Sequence, residues 1–110
     1  NGQGPRNHPA IAELDLPWLG QRGRAAPLLT KTLLFLGEGT EAALSILPIA
    51  GGKFFRAWNK ETGDVLWEIE LAAGTSGAPM TYMANGRQFI VVAIGDEETP
   101  SQLVALALAR

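Results

Sequence analysis

Few residues in this chain have the types and spacing that chemistry needs. Asp96-Glu97-Glu98 set three carboxylates in a row, the oxygen donors that hard cations take. Carboxylates on adjacent residues of one loop point apart, so without further ligands the run reads as a solvated acidic loop. Gly74-Thr75-Ser76-Gly77 has the composition of a backbone nest for phosphate. No Lys follows it and no helix clearly starts there, so a turn between two strands is the better reading. His8 is the lone histidine, and imidazole titrates where a general base is useful. With Pro9 beside it and no partner in view, it fits a surface or capping role. Glu13 and Asp15 have the spacing of an acid–base pair, but they sit in a Pro- and Gly-punctuated stretch that favours a solvated connector. The absence of Cys excludes a disulfide framework, a thiolate metal site and a thiol nucleophile. With one His, a His-based metal cluster or Ser-His-Asp triad has no support.

Composition narrows the field further. The 110 residues are 46% hydrophobic and 18% charged, a globular balance and enough chain for one domain at most. A net charge of −2 excludes a basic nucleic-acid footprint. Residues 1–31 carry a net +2 and residues 32–110 a net −4, which is ordinary surface variation. The longest apolar run, Leu103–Ala109, is far too short for a transmembrane helix. The first residue is Asn and no basic-then-apolar targeting segment follows it. That pattern reads as a processed chain or a piece of a longer one.

The elements that must position these residues are strands. Residues 1–26 form a connector with at most one short helix, over Pro9–Leu14. Ile11, Leu14, Leu16, Trp18 and Leu19 pin it to a surface. From Pro27 onward short apolar runs alternate with turn residues: Pro27–Thr30, Thr32–Leu36, Lys53–Asn59, Val65–Leu71, Ala78–Met83, Gln88–Ile94 and Gln102–Ala109. Residues 40–50 are ambiguous, with one helical turn over Glu41–Leu47 an option that Pro48 limits. In Val65–Leu71, Trp67, Ile69 and Leu71 alternate with Glu68 and Glu70, which predicts an apolar face and a wet one. Lys60-Glu61-Thr62-Gly63-Asp64 predicts a tight turn with Gly63 at positive φ. Asn85-Gly86 predicts a type I′ hairpin. Gln88–Ile94 is apolar on both faces and predicts a strand buried between layers.

The strands fall into two series. Ala26–Thr30 matches Ala78–Tyr82, Leu33–Gly37 matches Ile90–Asp96, and Phe54–Trp58 matches Leu103–Ala107, at separations of 52, 57 and 49 residues. A period near 50 residues of short antiparallel strands predicts β-propeller blades. The first series, 27–71, has four strands, and the second, 72–110, stops after three. The expected fold is therefore all-β, a partial β-propeller of about two four-stranded antiparallel blades, the second lacking its outer strand.

Ala57-Trp58-Asn59-Lys60-Glu61-Thr62-Gly63-Asp64-Val65-Leu66-Trp67 resembles the tryptophan-docking motif of quinoprotein dehydrogenases. These are eight-bladed propellers that hold pyrroloquinoline quinone (PQQ). The family pattern runs Ala-x-Asp-x-x-Thr-Gly-Lys-x-x-Trp. Ala57, Thr62, Gly63 and Trp67 match it, while Asn59 replaces Asp and Asp64 replaces Lys. The side chain at 59 can accept from turn amides, and Trp67 is expected to be largely buried, packing between blades. Trp58 and Trp18 read as core or inter-segment anchors. Gly74–Tyr82 and Asn85–Val92 resemble the family's last blade, and Leu103–Leu106 resembles its closing strand. Gly4–Pro9 and Thr30–Phe35 resemble the membrane-associated, sugar- and polyol-oxidising branch. The similarity runs over nearly the whole chain.

That resemblance implies a C-terminal fragment of a PQQ-dependent sugar or alcohol dehydrogenase, periplasmic or envelope-bound. The family's propeller closes when an N-terminal strand completes the last blade, which accounts for the strand missing from the second series. The family's calcium ligands and catalytic Asp lie in earlier blades and have no positions here. The quinone-facing loop of the last blade often reads Gly-Gly with an aromatic or His; here it reads Gly95-Asp96-Glu97-Glu98-Thr99-Pro100, and Gly95 alone fits. No catalytic, calcium or PQQ site is therefore expected in the isolated chain. The alternative is a non-enzymatic binding or scaffold module, or a self-associating small protein from a truncated gene. Apolar faces and an open strand edge predict a homo-oligomer, or assembly with the remaining blades as a separate chain.

Overall fold

In a computed structural model of the chain, residues 8–17, 25–39 and 51–109 are described. Seven strands appear in chain order: β1 Leu28–Leu29, β2 Leu33–Gly37, β3 Phe54–Asn59, β4 Val65–Glu70, β5 Met80–Ala84, β6 Arg87–Ile94 and β7 Gln102–Ala107. They form a four-stranded sheet, β1-β2-β3-β4, and a three-stranded sheet, β5-β6-β7, antiparallel throughout. The all-β expectation holds, and each apolar run of the sequence gives one strand. The ambiguous segment 40–50 and much of the connector, 1–7 and 18–24, lie outside the described residues. Over residues 8–14 the chain makes a single turn, with the Ile11 and Ala12 amides both bonded to the His8 carbonyl at 3.0 Å. Among the described residues no helix is long and apolar enough to cross a membrane.

The turns follow their residue types. Gly63 has φ 78°, and Asn85 and Gly86 have φ 50° and 71°, the paired left-handed conformations of a type I′ hairpin. The Asn59 carboxamide oxygen accepts from the Glu61 amide at 2.9 Å and the Thr62 amide at 3.1 Å. The Gly63 amide closes the turn on the Asn59 carbonyl at 2.8 Å. The loop is thus built by position 59 and the glycine, as expected from their chemistry.

The core lies between the two sheets. Cross-strand partners share a face, so the pairs Leu28–Phe35, Phe35–Ala57, Ala57–Trp67 and Phe55–Ile69 define one face of the first sheet. Leu28, Phe35, Phe55 and Ile69 from that face pack with Ile90, Val92, Ile94, Val104 and Leu106 of the second sheet. Phe35 and Phe55 stack with centroids 6.1 Å apart. The central strand β6 is buried on both faces, Val92 at 1% and Val91 at 8% exposure.

Two sequence readings need correction. Trp67 shares the inward face with Ala57 but is 42% exposed, not largely buried. It lies on β4, the edge strand of its sheet, two residues from Ile69, which does pack on the core. No fourth strand lies beside β7, among the described residues, to cover the indole. The second correction concerns the repeat. Leu28, Phe35 and Ala57 form one cross-strand row, and Met80, Val91 and Ala105 form its equivalent, at separations of 52, 56 and 48. The separations of 57 and 49 read from sequence match Phe35 to Val92 and Phe54 to Leu103. A slip of one residue exchanges the two faces of a strand, so that match confuses the inner face with the outer one.

Candidate functional site

Three connections meet at one end of the paired sheets. They are the two bases of the β2–β3 loop (Gly37-Glu38-Gly39 and Gly52-Lys53), the β4–β5 link through Thr75, and the β6–β7 loop from Gly95. The contacts are specific. Thr75 bridges to Ile94, the Ser76 amide donates to the Ala93 carbonyl at 2.9 Å, and the Gly95 amide donates to the Gly74 carbonyl at 3.1 Å. The Thr75 side chain, 2% exposed, sits where a Cβ on Gly37 would be. Its hydroxyl has no hydrogen-bond partner among the described residues. Gly74–Gly77 is therefore an inter-strand link pinned at the backbone, not an anion nest.

A buried ionic network stands at the same end. Arg56, on β3, bonds the Glu38 carboxylate at 2.8 Å and the Glu68 carboxylate at 2.8 Å. The Arg56 and Glu38 side chains are 4% and 8% exposed, and that of Glu68 is 46% exposed. Glu38 also accepts from the Phe54 amide at 3.3 Å, and its carboxylate occupies the space a side chain at Gly52 would need. Desolvation lowers the pKa of Arg56, but the hydrogen bonds and charges of Glu38 and Glu68 outweigh it, so the net shift is upward. The guanidinium stays charged, and Glu38 is tied to it. Sequence reading missed this network. The available signal was a charged residue inside Phe54-Phe55-Arg56-Ala57-Trp58, a strand otherwise apolar, because a buried charge needs a partner.

The predicted site residues fall in different places. Gly95 begins the β6–β7 loop, and a Cβ there would meet the Ser101 backbone at 3.2 Å, so its small size serves close chain packing. Asp96 caps that loop. Its carboxylate accepts from the Thr99 amide at 2.7 Å and the Glu98 amide at 3.0 Å, and the Asp96 amide donates to the Thr99 carbonyl at 3.1 Å. The Thr99 amide, against a desolvation penalty, then the Glu98 amide, the Thr99 hydroxyl and the Lys53 charge, hold the Asp96 carboxyl below its ordinary range. Glu97 and Glu98 are exposed. His8 caps its own turn, its Nδ1 accepting from the Ala10 amide at 3.2 Å. Glu13 and Asp15 are exposed on the connector. Ala57, Asn59, Thr62, Gly63 and Trp67 lie along β3, its turn and β4, and the turn is at the end opposite the three connections. Among the described residues no group of three or more His, Cys, Asp or Glu is arranged to hold a metal ion. Asp96 is occupied as a cap and Glu38 as an ion-pair partner, so among the described residues neither is a free buried base at this end.

Comparison with known proteins agrees with the fold. The family model "PQQ: Glucose/ethanol/alcohol dehydrogenase, beta-propeller domain" matches residues 1–90. The quinoprotein glucose dehydrogenase of Escherichia coli is 39% identical over 62 residues, 54% of this chain and 8% of that protein. The glycerol dehydrogenase large subunit of Gluconobacter thailandicus is 32% identical over 114 residues, 97% of this chain and 14% of that protein. Subunit 1 of the methanol dehydrogenase [cytochrome c] of Paracoccus denitrificans is 43% identical over 42 residues, 38% of this chain and 7% of that protein. The chain thus spans only a small part of these relatives. No solved structure matches it significantly. With two antiparallel sheets in propeller order and a family match over most of its length, the chain belongs to the beta-propeller domain family of the PQQ-dependent glucose, ethanol and alcohol dehydrogenases.

Proposed function

We propose that this chain supplies the C-terminal blades of a periplasmic or envelope-bound PQQ-dependent sugar or alcohol dehydrogenase and carries no catalysis alone. In this reading residues 1–26 are a connector, 27–71 a blade with the tryptophan-docking turn, and 72–110 an incomplete last blade. The observation that carries the proposal is the docking segment itself. Asn59 and Gly63 build the turn that delivers β4, and Trp67 on β4, on the face it shares with Ala57, keeps 42% of its surface open for a further strand to cover. A strand added there, from the remaining blades, would cover the indole and complete the inter-blade contact.

The residues present do not fit the cofactor. PQQ carries carboxylates, and the loop that fits a quinone contact at Gly95 alone presents Asp96, Glu97 and Glu98, with Asp96 held ionised. Asp96 spends its oxygens on the Thr99 and Glu98 amides, and calcium would need several converging oxygens. Binding of PQQ and calcium, and proton abstraction from the alcohol, are therefore assigned to parts of the enzyme outside these residues. The test is a titration of the purified chain with PQQ in the presence of calcium, followed by a dye-linked assay with glucose, glycerol and ethanol. No saturable binding below about 10 μM and no turnover are expected. Micromolar or tighter PQQ binding, or turnover above the protein-free control, would overturn the assignment.

A further inference from the structure

We infer that Asn85 is a deamidation site gated by the β5–β6 hairpin: the closed turn holds it unreactive, and opening of the turn commits it. The inference does not rest on the enzymatic reading. Asn85 and Gly86 are both exposed, and a Cβ placed on Gly86 would meet no atom within 4 Å. Water and hydroxide therefore reach the Gly86 amide freely. The turn stands at the end of its sheet, beyond both faces, so a sheet packed on either face leaves it open. In the reaction the Gly86 amide nitrogen loses its proton and attacks the Asn85 side-chain carbonyl carbon. A new C–N bond forms, the bond to the side-chain nitrogen breaks, and ammonia leaves. Water then opens the resulting succinimide at either carbonyl, giving Asp or isoaspartate. One water is consumed, one ammonia is released, and nothing is oxidised or reduced.

The backbone decides whether that ring can close. A five-membered ring needs the Gly86 nitrogen nearly eclipsed with Cβ of Asn85 about the Cα–C bond. Asn85 has φ 50° and Gly86 φ 71°, the left-handed pair of a type I′ turn, whose first central residue has ψ of about +30°. At that ψ the Gly86 nitrogen is nearly anti to Cβ, on the far side from the carboxamide. Cyclisation must wait until the turn opens. The hairpin that holds it shut is braced on both faces. Ala84 pairs with Arg87 at the turn, and the Tyr82 and Phe89 rings stack at 5.3 Å. Arg87 lies 5.6 Å over the Phe89 ring and bonds the Leu108 carbonyl. On the other face Gln88 donates to the Thr81 hydroxyl at 2.9 Å, which donates to the Phe89 carbonyl at 3.0 Å. Asn59 differs: its carboxamide oxygen accepts two turn amides, and Lys60 follows it. The products also differ. Asp fits a type I′ turn before glycine, whereas isoaspartate adds a methylene to the main chain and cannot close a two-residue loop. Deamidation thus makes some openings of the second sheet irreversible.

The chain is incubated at mildly alkaline pH across a urea series spanning its unfolding, then digested with trypsin. Cleavage after Lys60 and Arg87 places Asn85 in peptide 61–87, apart from the Asn1-Gly2 pair in peptide 1–6. Mass spectrometry reads the conversion of amide to acid in each. Deamidation of Asn85 should be at least about tenfold slower in the folded chain than in the unfolded one, because only locally opened molecules react. Its rate should rise in step with unfolding followed by tryptophan fluorescence. Tyr82→Ala, which removes the ring stack, should raise the folded-chain rate at least about twofold and leave the unfolded rate unchanged. If that variant does not fold, its rate without urea should equal the unfolded rate. Equal rates with and without urea, or a folded-chain rate that Tyr82→Ala leaves unchanged, would overturn the gating. An Asn85 that stays intact even when unfolded would overturn the site itself.

Discussion

Removing Arg56 is the sharpest perturbation of this fold. Its guanidinium is 4% exposed and bonds two carboxylates, of which Glu38 is 8% exposed and Glu68 46% exposed. Arg56→Met keeps the length and apolar stem of the side chain but leaves Glu38 in the interior without its cation. Breaking a buried pair from one side costs about 3–5 kcal/mol, since the remaining charge is desolvated and unpaired. Glu68 has water as a substitute partner, so Glu68→Gln should cost under about 1 kcal/mol. Glu38→Gln falls between them, at about 1–3 kcal/mol, because Arg56 and the Phe54 amide bond different oxygens of Glu38 and the single amide oxygen of Gln can keep only one of those two bonds. The ranking Arg56→Met, then Glu38→Gln, then Glu68→Gln comes from exposure alone. Urea unfolding followed by tryptophan fluorescence, at one fixed chain concentration, measures all three. A loss under about 1 kcal/mol for Arg56→Met, or Glu68→Gln costing more than Glu38→Gln, would refute the argument.

The remaining tests concern the turn, the acidic loop and the exposed indole. Gly63→Ala meets no atom within 4 Å, so its cost is purely the left-handed backbone at φ 78°, about 1–2 kcal/mol by denaturant unfolding; a neutral result would mean the turn rearranges. The Asp96 carboxyl, followed by carbon NMR, should titrate below the ordinary value of about 3.9. Its folded pKa is depressed, so its contribution to stability is present above that ordinary value and is lost as pH falls through the lower, folded one; Asp96→Asn should remove that part of the acid sensitivity. A midpoint at or above the ordinary value would contradict the capping geometry. Trp67→Ala removes a side chain that is only partly covered, so about 2 kcal/mol is expected, below the 3–5 of a fully buried aromatic.

Much of the fold is legible in the sequence because its signals are local. Gly63 and the Asn85-Gly86 pair need left-handed backbone wherever they occur, and short apolar runs between such turns have few alternatives to strands. Position 59 shows its role through the polar atom that the turn amides demand. What escapes is whatever depends on a distant partner. Arg56 and Glu38 are 18 residues apart, and only the β2–β3 pairing makes them neighbours. Thr75 and Gly37 are likewise linked only across sheets. The acidic run looks like a ligand set in one dimension, but Asp96 turns out to fold back on its own loop.

The Trp67 discrepancy and the repeat discrepancy have one physical origin. A propeller blade has two faces, and each needs a neighbour. In the first sheet the inward face packs on the second sheet through Leu28, Phe35, Phe55 and, on β4, Ile69. Two residues along β4, at the turn end, the same face leaves Trp67 42% exposed. Burial thus differs between Ile69 and Trp67 on one strand and one face, which no local pattern reports. The outer face of the second sheet repeats the inward face of the first, row for row, once the register is set by ladder partners. There Met80, Tyr82 and Leu103 are exposed, where Phe35 and Phe55 of the first sheet pack on the core. What those three lack, among the described residues, is a sheet to face.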